Sequence, residues 1–233
     1  MARGPTDARF VPAGPGSPRD TPARGGYSVG LGAPSGHRPL TMDSRICIGE
    51  DGGRAALLVD GVVQSISPED GLINGGYWAA MVPDERPQRA LILGLGGGTL
   101  SRLLQVRWGE LAMVGVDDDP SILETASSVG WLPLRGLDIV VADAFDYVQS
   151  CAERFDYVAV DLFRGEHLAR RAFGKPFLRR VRDLLEPRGR LAVNLFRDYR
   201  APDRIRRIAS LFEIRDERGV GGNVVVHARR RRP

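Results

Sequence analysis

The stretch Ala90-Leu91-Ile92-Leu93-Gly94-Leu95-Gly96-Gly97-Gly98-Thr99 decides the fold. Four apolar residues in a row read as a strand covered on both faces, since a strand with one wet face alternates. The glycines that follow let the backbone turn tightly and approach a ligand closely. Gly94, Gly96 and Gly98 give G-x-G-x-G. A dinucleotide fingerprint is G-x-G-x-x-G, and its third glycine falls here on Thr99. The departure favours a nucleoside ligand without a pyrophosphate. A helix begins over Thr99–Gln105.

Downstream the rhythm repeats. Ala112–Val116, Leu137–Val141, Tyr157–Val160, Leu191–Leu195 and Val224–Ala228 read as strands. Ser121–Ser128, Ala144–Cys151, Phe177–Leu185 and Arg204–Leu211 read as helices between them. Such alternation predicts an α/β fold with a mostly parallel sheet, doubly wound by helices on both faces. Upstream, Arg45–Gly49, Ala55–Val59 and Val62–Ile66 are short β-prone runs broken by Asp51-Gly52-Gly53 and Asp60-Gly61. Those breaks are hairpin signals, because glycine supplies the positive φ that such turns require. Gly71–Val82 reads as a loop entering a short helix. The expected organisation is a disordered Pro/Gly/Arg-rich tail over 1–40, a small antiparallel β-hairpin module over 41–82, a nucleoside-binding α/β domain over 83–228 and a basic tail over 229–233.

The 233 residues carry a net charge of +4. Its location sets its meaning. Residues 1–40 hold five Arg and two Asp, and residues 229–232 are four consecutive Arg, so the region between is net acidic. Solvated basic ends are expected, rather than a nucleic-acid surface. No run approaches the roughly 18 apolar residues of a membrane span. The arginines near the start precede no apolar block of the secretory kind. Cys47 and Cys151 match no metal-ligand or redox spacing, so no metal and a cytoplasmic setting are expected.

Ligands of open α/β sheets sit beyond the carboxyl ends of the strands. Four strand ends here carry informative residues. The glycine loop is the first. Asp117, in Val116-Asp117-Asp118-Asp119-Pro120, lies 23 residues after Gly94, at the distance of an acid that accepts from ribose hydroxyls. Asp119-Pro120 reads as a helix start, with Asp capping and Pro in the first turn. Asp143, in Ala142-Asp143-Ala144-Phe145, either accepts from an adenine amino group or caps the next helix. Asp161, in Val160-Asp161-Leu162-Phe163-Arg164-Gly165, either faces the reacting end of the nucleoside, where it orients or deprotonates an amine, or caps a loop.

Together these motifs resemble class I S-adenosylmethionine-dependent transferases, and more narrowly the spermidine synthase family. The narrower likeness rests on Leu58-Val59-Asp60-Gly61-Val62-Val63-Gln64-Ser65, similar to the family's L-x-DG-x-x-Q segment, followed by the strand ends in family order over about residues 45–228. The resemblance implies a Rossmann-like sheet of the class I methyltransferase type. It implies that Gly94, Gly96 and Gly98 approach the methionine portion of S-adenosylmethionine or its decarboxylated form. Asp117 then holds the ribose, Asp143 with Ala144 contacts the adenine, Gln64 reaches over from the hairpin module, and Asp161 is the catalytic aspartate. A homodimer through the hairpin module and a small-molecule acceptor, an amine or other nucleophile, are implied as well.

Three departures fall on the acceptor and tail sites. Arg164 stands where polyamine-making members have the second acid of D-x-x-D. A cation about 4 Å from an ammonium costs roughly 1 to 4 kcal/mol, depending on screening. Glu166 is the nearest acid to offset it. Tyr77-Trp78-Ala79-Ala80-Met81 lacks the polar residue and the Glu of Y-[QH]-E-M. The glycine loop lacks the aspartate of GGGDGG. These favour methyl transfer to a small molecule over aminopropyl transfer making spermidine from putrescine. A non-catalytic nucleoside-binding relative stays open. His167 is the histidine nearest the expected active loop. Trp78, Phe163 and Phe173 line an acceptor pocket or pack the core and lid.

Overall fold

Glycine turns fold the N-terminal part as their φ angles require. The computed structural model describes residues 10–12, 45–67, 75–164 and 167–231. The short strand β1 (Phe10–Pro12) comes first. Strands β2 (Ile46–Asp51), β3 (Arg54–Val59) and β4 (Val62–Ile66) then form an antiparallel sheet in that order. Gly52 and Gly53 turn β2 into β3 at φ 57° and 81°, and Asp60 and Gly61 turn β3 into β4 at φ 51° and 78°. Helix α1 (Gly76–Met81) follows.

The α/β part runs β5 (Arg89–Leu93), α2 (Thr99–Trp108), β6 (Ala112–Asp117), α3 (Pro120–Ser128), β7 (Leu137–Val141), α4 (Ala144–Ser150) and β8 (Phe155–Val160). It continues with the two-residue strands β9 (Phe163–Arg164) and β10 (His167–Leu168), then α5 (Lys175–Leu184), β11 (Leu185–Phe196), α6 (Ala201–Ala209), β12 (Phe212–Val220) and β13 (Asn223–Arg230). The large sheet has the order β1-β7-β6-β5-β8-β11-β13-β12. Pairing is parallel from β1 through β11 and antiparallel at β11–β13 and β13–β12.

Period-two alternation divides the core between the two faces. Ala90 and Ile92 of β5 pack with α2, α3 and the hairpin module, whereas Leu91 and Leu93 pack with α4, α5 and α6. Both faces are covered, which is why these strands read as continuous apolar runs. Order reverses at β5, whose next strands in sequence lie on one side and β8 on the other. That reversal opens the crevice where open sheets hold ligands.

Two expectations are corrected, and one strand was not read at all. Phe10–Pro12 pairs in parallel with β7 inside the segment read as a tail; the rest of 1–40, like Glu166, lies outside the described residues. Arg229 and Arg230 complete β13 instead of starting a basic tail. Arg229 pairs with Glu85, while Arg230 and Arg231 donate to the carbonyls of Leu185, Phe212 and Ala209. The nine residues of β12 form a strand that the periodicity hides. Its Glu213, Arg215, Asp216, Glu217 and Arg218 suit a sheet edge, where charge blocks further pairing. Its Arg218 Nη1 donates to the Ala80 carbonyl at 3.3 Å, and His227 of β13 bonds the same oxygen at 2.7 Å. Tyr157 donates to the Met81 carbonyl at 2.6 Å. These contacts anchor the end of α1, the helix that brings Tyr77 and Trp78 to the crevice.

Candidate functional site

The crevice is built by backbone geometry that only glycine tolerates at its centre. Gly94 has φ 89°, and a Cβ there would sit 2.1 Å from the Asp161 carbonyl oxygen. Strand β5 can therefore end against the end of β8 only with glycine at this position. Gly96 and Gly98 also have positive φ, 55° and 86°. Against Gly96 and Gly97 lies β4: the Gly97 N–H donates to Ser65 Oγ at 2.6 Å, and Ser65 Oγ donates to the Gln64 carbonyl at 2.6 Å. The Ile66 N–H donates to Thr99 Oγ1 at 3.0 Å. The hairpin module thus grips the loop directly. Ser65 carries this grip and was missed by sequence reasoning, although it closes the Gln64-Ser65 pair of the quoted segment.

Beyond the strand ends lies a cleft of about 300 Å³, lined among others by Gln64, Tyr77, Gly94, Gly96, Asp117 and Asp161. A second chamber of about 270 Å³ is lined by Gly94, Asp117, Asp143, Ala144, Phe145 and His167, among others. Gly94, Asp117, Asp118, Phe163 and Arg164 line both, so the chambers adjoin. Seven of the eight sequence-predicted site residues meet here. Gly98 stands back, capping α2 against Leu132 and Ser101. Trp78 and Phe163 line the cleft, whereas Phe173 is buried in the core. Phe163 packs edge-on against Phe196 at 5.0 Å, which ties the β9–β10 hairpin to the end of β11. From that hairpin, Arg164 pairs with Asp118 across the cleft mouth.

The strand-end carboxylates divide by what they bond. Asp119 accepts from the Ser121 N–H at 3.0 Å with Pro120 in the first turn, so it caps α3 and also pairs with Arg45. Asp143 accepts through Oδ1 from the Phe145 and Asp146 N–H groups, so it caps α4. It also lines the second chamber. Asp117 instead binds the glycine loop: Oδ2 accepts from the Gly96 N–H at 2.7 Å and Oδ1 from the Asp119 N–H at 3.1 Å. Burial nonetheless pushes its carboxyl up to about 6, against those two donors.

Asp161 caps nothing. It keeps a partly open face toward the cleft, while protein encloses the rest. Asn194 Nδ2 donates to its Oδ1 at 2.9 Å, and the side chains of Tyr77 and Trp78 donate from α1. Burial outweighs these three donors and lifts its carboxyl to about 6, helped by the Asp117 charge nearby. Tyr77 is pushed well above its ordinary value, first by burial and then by Asp161. Tyr77, Trp78 and Asn194 complete the surroundings of Asp161. The tyrosine lies in the partial Y-[QH]-E-M match, while Asn194 gave one signal, a lone polar residue in an apolar strand.

Solved structures with the same architecture include a probable spermidine synthase from Corynebacterium glutamicum, 20% identical with TM-score 0.64, covering 79% of this chain and 76% of that one. Human methyltransferase-like protein 13, solved in complex with SAH, is 22% identical with TM-score 0.58, covering 68% and 81%. The fold is that of a class I methyltransferase. In sequence the chain is similar to a polyamine aminopropyltransferase of Neisseria meningitidis, to which it is 30% identical over 133 residues. That match covers 56% of this chain and 51% of the relative, so the chain spans about half the length of the curated relatives it matches. No family model matches it. Among its described residues no helix is long and apolar enough to cross a membrane.

Proposed function

We propose that this protein is a transferase that takes an aminopropyl group from decarboxylated S-adenosylmethionine and passes it to an amine acceptor. The observation that carries the reading is Asp161, a carboxylate held by three donors at the cleft, beside Gly94 and Asp117. The likeness to polyamine aminopropyltransferases reverses the order expected from the sequence, which placed methyl transfer first.

The residues fit the nucleoside. The carboxylates of Asp117 and Asp143 each have more acceptor positions than the two they use, which leaves lone pairs for ribose and adenine. Two adjoining chambers extend from Asp143 past Asp117 to Asp161. A sulfonium nucleoside supplies a carbon that an amine attacks: a nitrogen–carbon bond forms, the carbon–sulfur bond breaks, and sulfur keeps the electron pair. Asp161 holds the amine and receives a proton from it. Tyr77 and Trp78 wall the acceptor side, while Asp117 and the glycine loop fix the donor. A cytoplasmic setting and a homodimer go with this reading.

Methyl transfer is the second reading, favoured by the glycine loop. No carboxylate lies between Gly94 and Thr99 to meet the ammonium of a decarboxylated tail. The test incubates the purified protein with putrescine and either nucleoside, followed by mass spectrometry. Methylthioadenosine with an extended amine supports aminopropyl transfer. S-adenosylhomocysteine with a methylated amine overturns it in favour of the second reading, and neither product, with nucleoside still bound, identifies a binding protein.

A further inference from the structure

Strand β11 is buried along Leu191, Ala192, Val193 and Leu195, and a single amide interrupts it. Asn194 is 1% exposed, and burying an amide is costly unless it is paired. Its two ends are bonded in opposite directions. Nδ2 donates to Asp161 Oδ1 at 2.9 Å, and Oδ1 accepts from Asn223 Nδ2 at 3.0 Å. The sheet register brings the groups together. Val193 lies opposite Val160 on β8, so the next residues, Asn194 and Asp161, lie level, and Asn223 reaches across from β13 opposite Phe196.

An amide can present either its oxygen or its NH2 to a neighbour. The Asn223 donor requires the Asn194 oxygen on its side, which turns the Asn194 NH2 toward Asp161. Were the amide reversed, two oxygens would face each other beneath the cleft and both donors would point together. We propose that Asn194, itself oriented by Asn223, is a positioning residue that fixes the direction of the Asp161 carboxylate and favours its ionised form. The role in catalysis rests on the reaction proposed above; the orientation of the carboxylate does not.

The other groups facing Asp161 are Tyr77 and Trp78 from α1, Asp117 from β6, and Tyr157 from β8 itself. Tyr77 and Trp78 donate as Asn194 does, whereas the Asp117 charge disfavours ionisation. Removing the Asn194 donor leaves burial and Asp117 less opposed.

The test is a carbon-13 carboxyl titration of Asp161 by NMR in the ligand-free protein, alongside the pH profile of transfer. Asn194→Ala raises the Asp161 midpoint by about one unit. Asn223→Ala, at a partly exposed strand end, raises it by less, and Asn223→Ser, which keeps a donor, restores part of the shift. The acid limb of kcat/KM moves with the midpoint, while nucleoside KM stays within twofold. An Asp161 midpoint unchanged in Asn223→Ala and Asn194→Ala overturns the positioning role, whatever the activity. A wild-type protein that transfers nothing while the midpoints shift as stated overturns the reaction instead and supports the positioning.

Discussion

Asp161→Asn is predicted to gain stability relative to the wild type as pH rises, while abolishing transfer. The folded carboxyl is raised from 3.8 to about 6, chiefly by burial. A raised acid binds its proton more tightly when folded, so its stabilising contribution is present below pH 3.8 and is lost as pH rises through 6. Above that, the ionised group costs about 3 kcal/mol, from roughly two units at 1.36 kcal/mol each. That figure is an upper bound, because the open face toward the cleft lets water screen the charge. Asparagine carries no charge, but its NH2 must face one of the donors from Tyr77, Trp78 or Asn194, at a cost of about 1–3 kcal/mol. This second cost does not depend on pH. The diagnostic quantity is therefore the change in the mutant–wild-type difference: about 2 kcal/mol in favour of Asp161→Asn between pH 4.5 and pH 8. Urea denaturation of both proteins at the two pH values measures it. A difference that is the same at both would refute the claim that the folded protein holds an unfavourably buried charge there.

Gly94→Ala drives a Cβ to 2.1 Å from the Asp161 carbonyl at φ 89° and should cost about 3 kcal/mol or more in a urea melt, whereas Gly109→Ala, at φ 77° with open space around it, should cost only about 1 kcal/mol; equal losses would show that strand-end contact is unimportant. Asp117→Ala removes the acceptor of the Gly96 and Asp119 N–H groups and should weaken calorimetric binding of methylthioadenosine at least about tenfold, and unchanged affinity would refute the ribose role. Ser65→Ala strips the Gly97 N–H of its partner inside a buried contact; a loss of about 1–2 kcal/mol is expected, with thermal melting as the readout and a neutral result counting against the hairpin grip.

Much of the fold was legible because buried parallel strands advertise themselves. Ala90–Leu93 and Tyr157–Val160 are apolar on both faces, and glycine or aspartate follows their ends. Strand β12 was not legible for the converse reason. Phe212 and Ile214 are its apolar residues before a run of charges, and its stability comes from pairing with β13, a contact invisible in local sequence. Neither β1 nor Arg229 and Arg230 carried a local signal, since each is a strand only by virtue of a neighbour. At the site the glycines and aspartates were readable at strand ends, but Asn194 and Tyr77 meet Asp161 from far along the chain. Periodicity identifies the element, and only the sheet register says which side chains come level.

The four strand-end aspartates also show how a fold and a function can be separated on physical grounds. Asp119 and Asp143 satisfy helix starts, so each has a structural reason for its place: Asp119 accepts from one backbone N–H group and Asp143 from two that would otherwise be orphaned. Asp117 and Asp161 are different. Both carboxyls lie about two units above the ordinary value, so at neutral pH each charge weakens the folded state. An uncharged residue at either position would relieve that cost, yet the protein surrounds Asp161 with three donors drawn from α1 and β11 and anchors α1 through Arg218, His227 and Tyr157. Stability does not account for machinery that holds a destabilising charge beside a cleft. A cationic amine bound as proposed would account for it, because it would meet the same carboxylate with an opposite charge and turn the penalty into binding. On this argument ligand and proton should be linked: an amine that binds at Asp161 should lower its midpoint below 6, and a carboxyl titration with and without putrescine reads this directly.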